Sequence, residues 1–253
     1  MTDESVPPAA TRWGMVAETL GRPYPVTVWM VLFVSMIPFY VFIGDGMRGR
    51  ASHYPELALD RLIPLQPSWV LVYGTLYFYL IALPWLTIRQ PAHIRRMVFA
   101  YLLIWITAYA CFLLFPSEAR RPDVVPGDGF GARGLRFLYE SDTPRNCFPS
   151  LHVAHSFVSA LACWRLHRRV GMAAIAAASV VAVSTLFTKQ HYLLDILGGI
   201  GLAFAAYLIF LRGYRRADAP DLDRRAAPLL AAGLLAVLAV ALAGLWAAYR
   251  LFG

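Results

Sequence analysis

Two short polar stretches interrupt an otherwise apolar chain, and each places a histidine beside other residues that can act on a phosphate. The first is FPSLH, at residues 148–152, and the second is TKQHYLLD, at residues 188–195. A histidine can attack phosphorus or supply a proton near neutral pH. The stretches are either unrelated polar residues at helix ends or two halves of one site.

The first stretch has the composition of an anion-binding helix start. Pro149 is tolerated in the first turn of a helix, and the unpaired N–H groups there favour a bound anion. Ser150 adds a hydroxyl donor to such a phosphate site, and His152 adds a group that can hold or release a proton. The alternative is a capping serine followed by a histidine at the membrane interface.

The second stretch pairs an imidazole with a carboxylate. His191 and Asp195 are four residues apart and would share one face of a helix, where the carboxylate would fix the imidazole tautomer. Lys189 offers a positive charge to a phosphate two residues earlier. An ionisable residue within a membrane span is costly and marks a functional site by default. The alternative is a pair near the interface that reaches water.

A third stretch supplies further cations. Arg120 and Arg121 precede Pro122, and adjacent guanidinium groups suit bidentate contacts to phosphate, although they also suit contacts to lipid headgroups. Together the three stretches predict phosphoryl transfer through a phosphohistidine, in which cations and backbone N–H groups neutralise the developing charge. No Mg²⁺ and no cofactor are expected, because no acidic cluster calls for a metal ion.

The elements that must position these residues are membrane helices. Of the 253 residues, 59% are hydrophobic, and long apolar runs recur along the chain. We therefore expect an all-α polytopic membrane protein with seven spans, the last of which is a C-terminal transmembrane helix. The predicted spans are residues 26–43, 68–88, 97–115, 150–165, 171–188, 192–212 and 227–249.

The arginines predict the orientation of these spans. The loops after spans two, four and six carry arginine clusters, and the positive-inside rule makes them cytoplasmic, although the opposite loops carry arginines too. Residues 1–25 form a cytosolic tail with a brief helix, residues 26–215 the core, and residues 216–253 a linker and the last helix. The three polar stretches then share the outer, periplasmic or extracellular, face of the inner or plasma membrane.

Several other classes of protein fit the sequence less well. The net charge of +8 resides in inter-helix loops, without a nucleic-acid-binding signature, so we expect no nucleic-acid partner. Three irregularly spaced cysteines do not form a disulfide framework. A transporter with a proton relay of His152, His191 and Asp195 is an alternative, but no inverted repeat supports it.

At these residues the sequence resembles the type-2 phosphatidic acid phosphatase superfamily over roughly residues 60–212. Its pattern comprises a lysine-led segment ending in Arg-Pro, then Pro-Ser-Gly-His, and then Ser-Arg followed by His-x-x-x-Asp. The resemblance implies that His191 is the nucleophile, Asp195 its orienting partner and His152 the general acid. It also implies that Arg121 and Ser150 bind the phosphate, and that the first six predicted spans form a six-helix phosphatase-like core to which the seventh, C-terminal transmembrane helix is added.

Three departures from the family pattern bear on function. Leu114 stands where the first-motif lysine would fall, so Arg120 would replace its charge. Leu151 replaces the glycine of Pro-Ser-Gly-His and is expected to add bulk beside the phosphate. Residues 184–185 read Ser-Thr instead of Ser-Arg, so Lys189 would supply the missing charge. The stretches FPSLH and KQHYLLDILGG look similar to the branch that includes inositol phosphorylceramide synthases.

The leading prediction is hydrolysis of a lipid phosphate monoester or diphosphate at the outer leaflet. The alternative within the family is transfer of a phospho-headgroup such as phosphoinositol to a lipid alcohol such as ceramide or diacylglycerol. The residue types leave open which lipid is bound, whether water or an alcohol is the acceptor, and the oligomeric state.

Overall fold

The computed structural model describes residues 11–252, which form ten α-helices; within this range only isolated bridges between loops, and no named strand, occur. The predicted N-terminal tail therefore lies partly outside the described residues. The helices are α1 (Arg12–Gly21), α2 (Val28–Gly46), α3 (Ala58–Leu62), α4 (Trp69–Thr87), α5 (Pro91–Leu114), α6 (Phe130–Ser141), α7 (Leu151–Leu166), α8 (Arg168–Phe187), α9 (Leu193–Ala206) and α10 (Asp221–Phe252).

Six of the described helices are long and apolar enough to cross a membrane. They are α2, α4, α5, α8, α10, and α9 together with the π-helical turn Tyr207–Leu211 that continues it. A membrane span needs about 20 predominantly apolar residues. The predicted class, an all-α polytopic membrane protein with an additional C-terminal membrane helix, is therefore confirmed.

The predicted fourth span is α7, which is only 16 residues long and lies in the middle of the bundle. It packs against α4, α5, α8 and α9, and most of its side chains are buried. At 1.5 Å per residue it extends about 24 Å, which is less than the hydrocarbon thickness of about 30 Å. Because its neighbours shield it from lipid, α7 can carry the polar residues that made it hard to predict.

Several helices begin earlier than the apolar pattern predicted, so some arginines lie in helices and not in loops. Helix α5 begins at Pro91, which places Arg95 and Arg96 in its first two turns. Proline at the first helical position is favourable because its missing N–H has no intrahelical acceptor there. Only His167 separates α7 from α8, and α10 begins at Asp221 instead of residue 227.

The segment before α7 folds over one end of the bundle, which we call the site end; there α4, α7 and α9 begin and α5 and α8 end. Residues 116–149, predicted as a loop, contain the helix α6. The glycines and arginines of its sequence, FGARGLRFLYES, hide the helical pattern. Helix α3 occurs within residues 44–67, between the first two predicted spans.

A glycine allows two of the helices at the site end to pack closely. A Cβ at Gly199 on α9 would lie 2.6 Å from the carbonyl oxygen of Ser150, so a larger residue would push α9 away from the start of α7. Ala203, one turn further along α9, is fully buried. Small residues on α9 therefore allow it to pack closely against α7.

Candidate active site

The two histidines singled out from the sequence are in direct contact at the site end. His152 is the second residue of α7, and His191 lies in the short connection between α8 and α9. His152 Nδ1 lies 3.1 Å from His191 Nε2. The fold thus brings together the two polar stretches, which are about forty residues apart in the chain.

Ser150 is the N-cap of α7, and its contacts link the start of that helix to α9. Its Oγ accepts a hydrogen bond from Val153 N (3.3 Å), and its backbone N–H donates to the carbonyl of Asp195 (2.9 Å). Pro149 precedes the cap, so its predicted place in the first turn is wrong. The N–H groups of Leu151 and His152 have no intrahelical acceptor, which favours an anion at this end.

Asp195 approaches His191 by a different route from the one predicted. Helix α9 begins at Leu193, so His191 precedes the helix and does not share a helical face with Asp195. Asp195 is the third residue of α9, and its Oδ2 accepts a hydrogen bond from Tyr192 N (2.8 Å). The same oxygen lies 3.5 Å from His191 Nδ1, and both residues are buried.

These contacts indicate where the protons lie on the two imidazoles. The carboxylate of Asp195 favours a proton on His191 Nδ1, which leaves a lone pair on Nε2. Nε2 then accepts the hydrogen bond from His152, so the shared proton belongs to His152 Nδ1. One ring thus presents a nucleophilic nitrogen, and the other, when both of its nitrogens carry a proton, presents an acidic proton at the same place.

Three tyrosines, none of which was predicted as a site residue, surround His152. The rings of Tyr40 on α2 and of Tyr73 and Tyr77 on α4 lie edge-on to the imidazole, with centroids 5.1–6.0 Å away. The four-residue spacing of Tyr73 and Tyr77 places both on one face of α4. That spacing is the only signal in the sequence that could have suggested the enclosure, which fixes the orientation of His152.

Arg121 lies near His191, but its guanidinium is largely engaged by the protein. It donates to the carbonyls of Tyr139, Asp142 and Thr143 and to the side chain of Gln190. Its side chain is 10% exposed. The Asp142 carboxylate lies 3.8 Å from Arg121; burial raises its pKa, and the arginine opposes that rise. Arg121 therefore fixes the segment after α6 as well as adding positive charge.

Beside His191 is a cleft of about 290 Å³ that contains the other predicted cations. Arg120 has a 65% exposed side chain and lies 3.8 Å from Glu56. Lys189 donates to the carbonyls of Asp60 and Ile63, and burial lowers the pKa of its ammonium, although Asp60 and Glu56 oppose this. The lining residues are Glu56, Asp60, Arg61, Ile63, Leu65, Arg120, Arg121, Pro122, Leu186, Lys189, His191 and Tyr192.

The predicted site residues therefore fall into two groups. The cleft is lined by His191, Arg120, Arg121 and Lys189. It is not lined by Ser150, His152 or Asp195. Of these, His152 contacts His191, and the backbone N–H of Ser150 donates to the carbonyl of Asp195. Leu151, expected to add bulk beside the phosphate, packs instead in the apolar core of the bundle. Its side chain therefore supports the start of α7.

Cys147, His191 and Asp195 form a group of donors that could in principle hold a metal ion, with donor atoms within 4.8 Å of one another. Zinc would require the thiolate of Cys147. Burial raises the pKa of this thiol well above its ordinary value, and the nearby Asp195 raises it further. The environment thus favours the thiol, which is a poor metal ligand.

Comparison with known proteins gives one family. The model of the PAP2 superfamily matches residues 57–209, a range that begins just before α3, contains every predicted site residue and ends in the last turn of the α9 span. No curated protein and no solved structure matches the chain.

Proposed function

The chain belongs to the PAP2 superfamily, whose members are phosphatases and phosphotransferases, and we propose that it hydrolyses a lipid phosphate through a phosphohistidine at His191. The match covers residues 57–209 of 253, which is more than half of the chain. The proposal of hydrolysis through a phosphohistidine rests on the paired imidazoles. Contact between His191 Nε2 and His152 Nδ1 supports a nucleophile and an acid that meet at one point.

The first chemical step uses both rings. The lone pair of His191 Nε2 attacks phosphorus, and the bond from phosphorus to the leaving oxygen breaks. His152, acting as the imidazolium with a proton on each ring nitrogen, gives its Nδ1 proton to that oxygen and becomes neutral, while Asp195 stabilises the positive charge that develops on His191. Because the rings are in contact at 3.1 Å, they must separate for the phosphoryl group to enter.

The second step regenerates the enzyme. His152, now without its proton, takes one from water as the water oxygen attacks the phosphohistidine. The bond between phosphorus and His191 Nε2 breaks, and inorganic phosphate leaves. In this proposal Arg120 and Lys189, which line the cleft, neutralise the phosphoryl oxygens during both steps. The N–H groups at the start of α7 join them once the two imidazoles have separated. A lipid alcohol in place of this water would give phosphotransfer with the same residues.

A membrane lipid is the substrate class that fits the position of the site. The cleft lies at one end of helices long enough to cross a membrane, which is where a lipid headgroup lies. The opposite end has arginine-rich connections around α1, α5 and α8. By the positive-inside rule we propose that this opposite end, with the N-terminus, faces the cytoplasm and that the site faces outward.

A panel of lipid phosphates supplied to the purified protein, with and without a lipid alcohol, tests the proposal. We expect release of inorganic phosphate and its loss in His191→Ala. The matched control is His167→Asn, which keeps an N-cap for α8 at the opposite end of the bundle and should retain activity. A new phospholipid formed only with the alcohol would show transferase activity. Full turnover in His191→Ala would refute the phosphohistidine.

A further inference from the structure

A second cavity lies at the site end, between α4, α6 and α10. It is a groove of about 630 Å³ with a strongly apolar lining. Phe78 on α4, Phe137 on α6 and Leu245 on α10 are each more than 60% exposed. The lining residues are Val70, Leu71, Gly74, Thr75, Phe78, Phe130, Arg133, Gly134, Phe137, Leu238, Ala241, Leu242, Leu245 and Tyr249.

The groove lies at the level of the membrane hydrocarbon, where lipid tails surround the protein. Helices α4 and α10, which form two of its three walls, are long and apolar enough to cross the membrane. Exposed aromatic and aliphatic side chains are therefore stable there because they face hydrocarbon. The third wall, α6, is amphipathic and too short to span, as expected for a helix lying at the level of the headgroups.

The mouth of the groove carries a positive charge. The guanidinium of Arg133 on α6 lies 4.9 Å from the ring centroid of Tyr249 on α10. The hydroxyl of Tyr249 donates to the carbonyl of Asp128 (2.8 Å). An apolar groove with an arginine and a tyrosine at its mouth matches a lipid, whose tail is apolar and whose head carries a phosphate.

Two elements connect the groove to the catalytic residues. Helix α6 lines the groove with Phe137, and two residues later the hydroxyl of Tyr139 donates to the carbonyl of Thr188, close to His191. The ring of Tyr139 also lies under Arg121. Helix α4 lines the groove with Gly74 and presents Tyr73 and Tyr77 to His152.

We propose that this groove binds an acyl chain of the lipid phosphate whose headgroup occupies the cleft beside His191. The proposal rests on the proposed function and adds to it the binding site for the tail, to which α10 contributes one wall. It also assigns α6 a role as the divider between tail and headgroup. A tightly bound bystander lipid and a helix of a partner protein are the competing occupants.

A variant that fills the groove provides the test. A Cβ at Gly74 meets no atom within 4 Å, so Gly74→Leu places a side chain in the groove without a backbone clash. Gly201→Leu is the matched control, because Gly201 on α9 is exposed, equally unobstructed and outside the groove. The probe is phosphatidic acid with a photoreactive diazirine in one acyl chain, supplied in detergent micelles.

We expect wild-type adducts to map to α4, α6 and α10 and to be competed by unlabelled phosphatidic acid. Gly74→Leu should raise the ratio of the KM for dioleoyl to that for dibutyryl phosphatidic acid roughly tenfold, because part of the long tail loses its burial. Its adducts should fall by a similar factor, whereas Gly201→Leu should match the wild type. Adducts and KM ratio both unchanged in Gly74→Leu would overturn the groove proposal.

The two proposals fail in different ways. Turnover of phosphatidic acid without competable labelling of the groove would overturn the tail site and leave the phosphatase intact; a partner helix or a bystander lipid would then occupy the groove. Competable labelling that falls in Gly74→Leu, in a protein that turns over no lipid phosphate, would overturn the proposed activity and leave the groove as a lipid site.

Discussion

Two histidines three residues apart on α7 have different surroundings. His152 lies in the first turn of α7, which we call the mouth of this helix. It contacts the imidazole of His191 and is only partly buried. His155, one turn deeper, is 3% exposed, and its Nδ1 accepts a hydrogen bond from Trp105 Nε1 (3.3 Å). Its ring centroid lies 4.4 Å from that of Tyr101.

We infer from this difference that the partner, and not the residue type, determines what each of these two histidines does. An imidazole against another imidazole beside a carboxylate can move a proton. An imidazole enclosed by aromatic rings with a single indole donor acts as a packing and hydrogen-bonding residue. We therefore expect residues at the mouth of α7 to determine activity, and residues one turn deeper, in its middle, to determine stability.

The largest expected effect is at the mouth. His152→Ala removes the proton donor for the leaving oxygen, so kcat/KM for an alkyl phosphate such as phosphatidic acid should fall by roughly 10²–10⁴. An aryl phosphate such as p-nitrophenyl phosphate releases a stable phenolate and needs little protonation, so its loss should be much smaller. Because kcat/KM reports only the steps up to formation of the phosphohistidine, it does not depend on the base that His152 supplies in the second step. Steady-state values of kcat/KM on both substrates measure the difference, and an equal loss on both would exclude the acid role.

A smaller effect, on stability instead of chemistry, is expected one turn deeper. His155→Leu keeps most of the volume but leaves the buried N–H of Trp105 without its acceptor, which costs about 1–3 kcal/mol. The melting temperature in detergent should fall by several degrees, while kcat/KM of the folded protein changes little. A loss of kcat/KM as large as that of His152→Ala, in protein that remains folded, would remove the distinction between mouth and middle.

The smallest effect is expected deeper still. Ser159 Oγ lies 2.8 Å from the hydroxyl of Tyr101, a contact that joins α7 to α5. Interhelical hydrogen bonds in membrane proteins average about 0.6 kcal/mol, so Ser159→Ala should lower the melting temperature by roughly 2 °C. A thermal scan beside His155→Leu checks the order, and a larger shift for Ser159→Ala would reverse it.

The sequence predicted the class of fold and the two stretches that meet. The long apolar runs identify membrane helices because few other environments tolerate them. The proximity of His191 and Asp195 follows from their four-residue separation, although a helix cap and not a shared helical face produces it. The family resemblance placed both histidines in one site before any geometry was known.

The sequence could not predict contacts that depend on packing between distant helices. The tyrosines around His152 come from α2 and α4, and no local pattern connects them to α7. The guanidinium of Arg121 donates hydrogen bonds to backbone carbonyls that follow α6. Helix α6 itself was not predicted, because the glycines in its sequence conceal the helical pattern. The first feature requires knowledge of how α2 and α4 pack against α7, and the second of how the segment before α7 covers the end of the bundle.

The most direct test of the central claim is to trap the phosphoenzyme. The protein is incubated with a ³²P-labelled lipid phosphate that it turns over, quenched in alkali and digested, and the labelled peptide is identified. We predict an alkali-stable, acid-labile phosphohistidine at His191 in the wild type, and none in His191→Ala. Turnover without any such label in a rapid quench, or a label on another residue that persists in His191→Ala, would contradict the account.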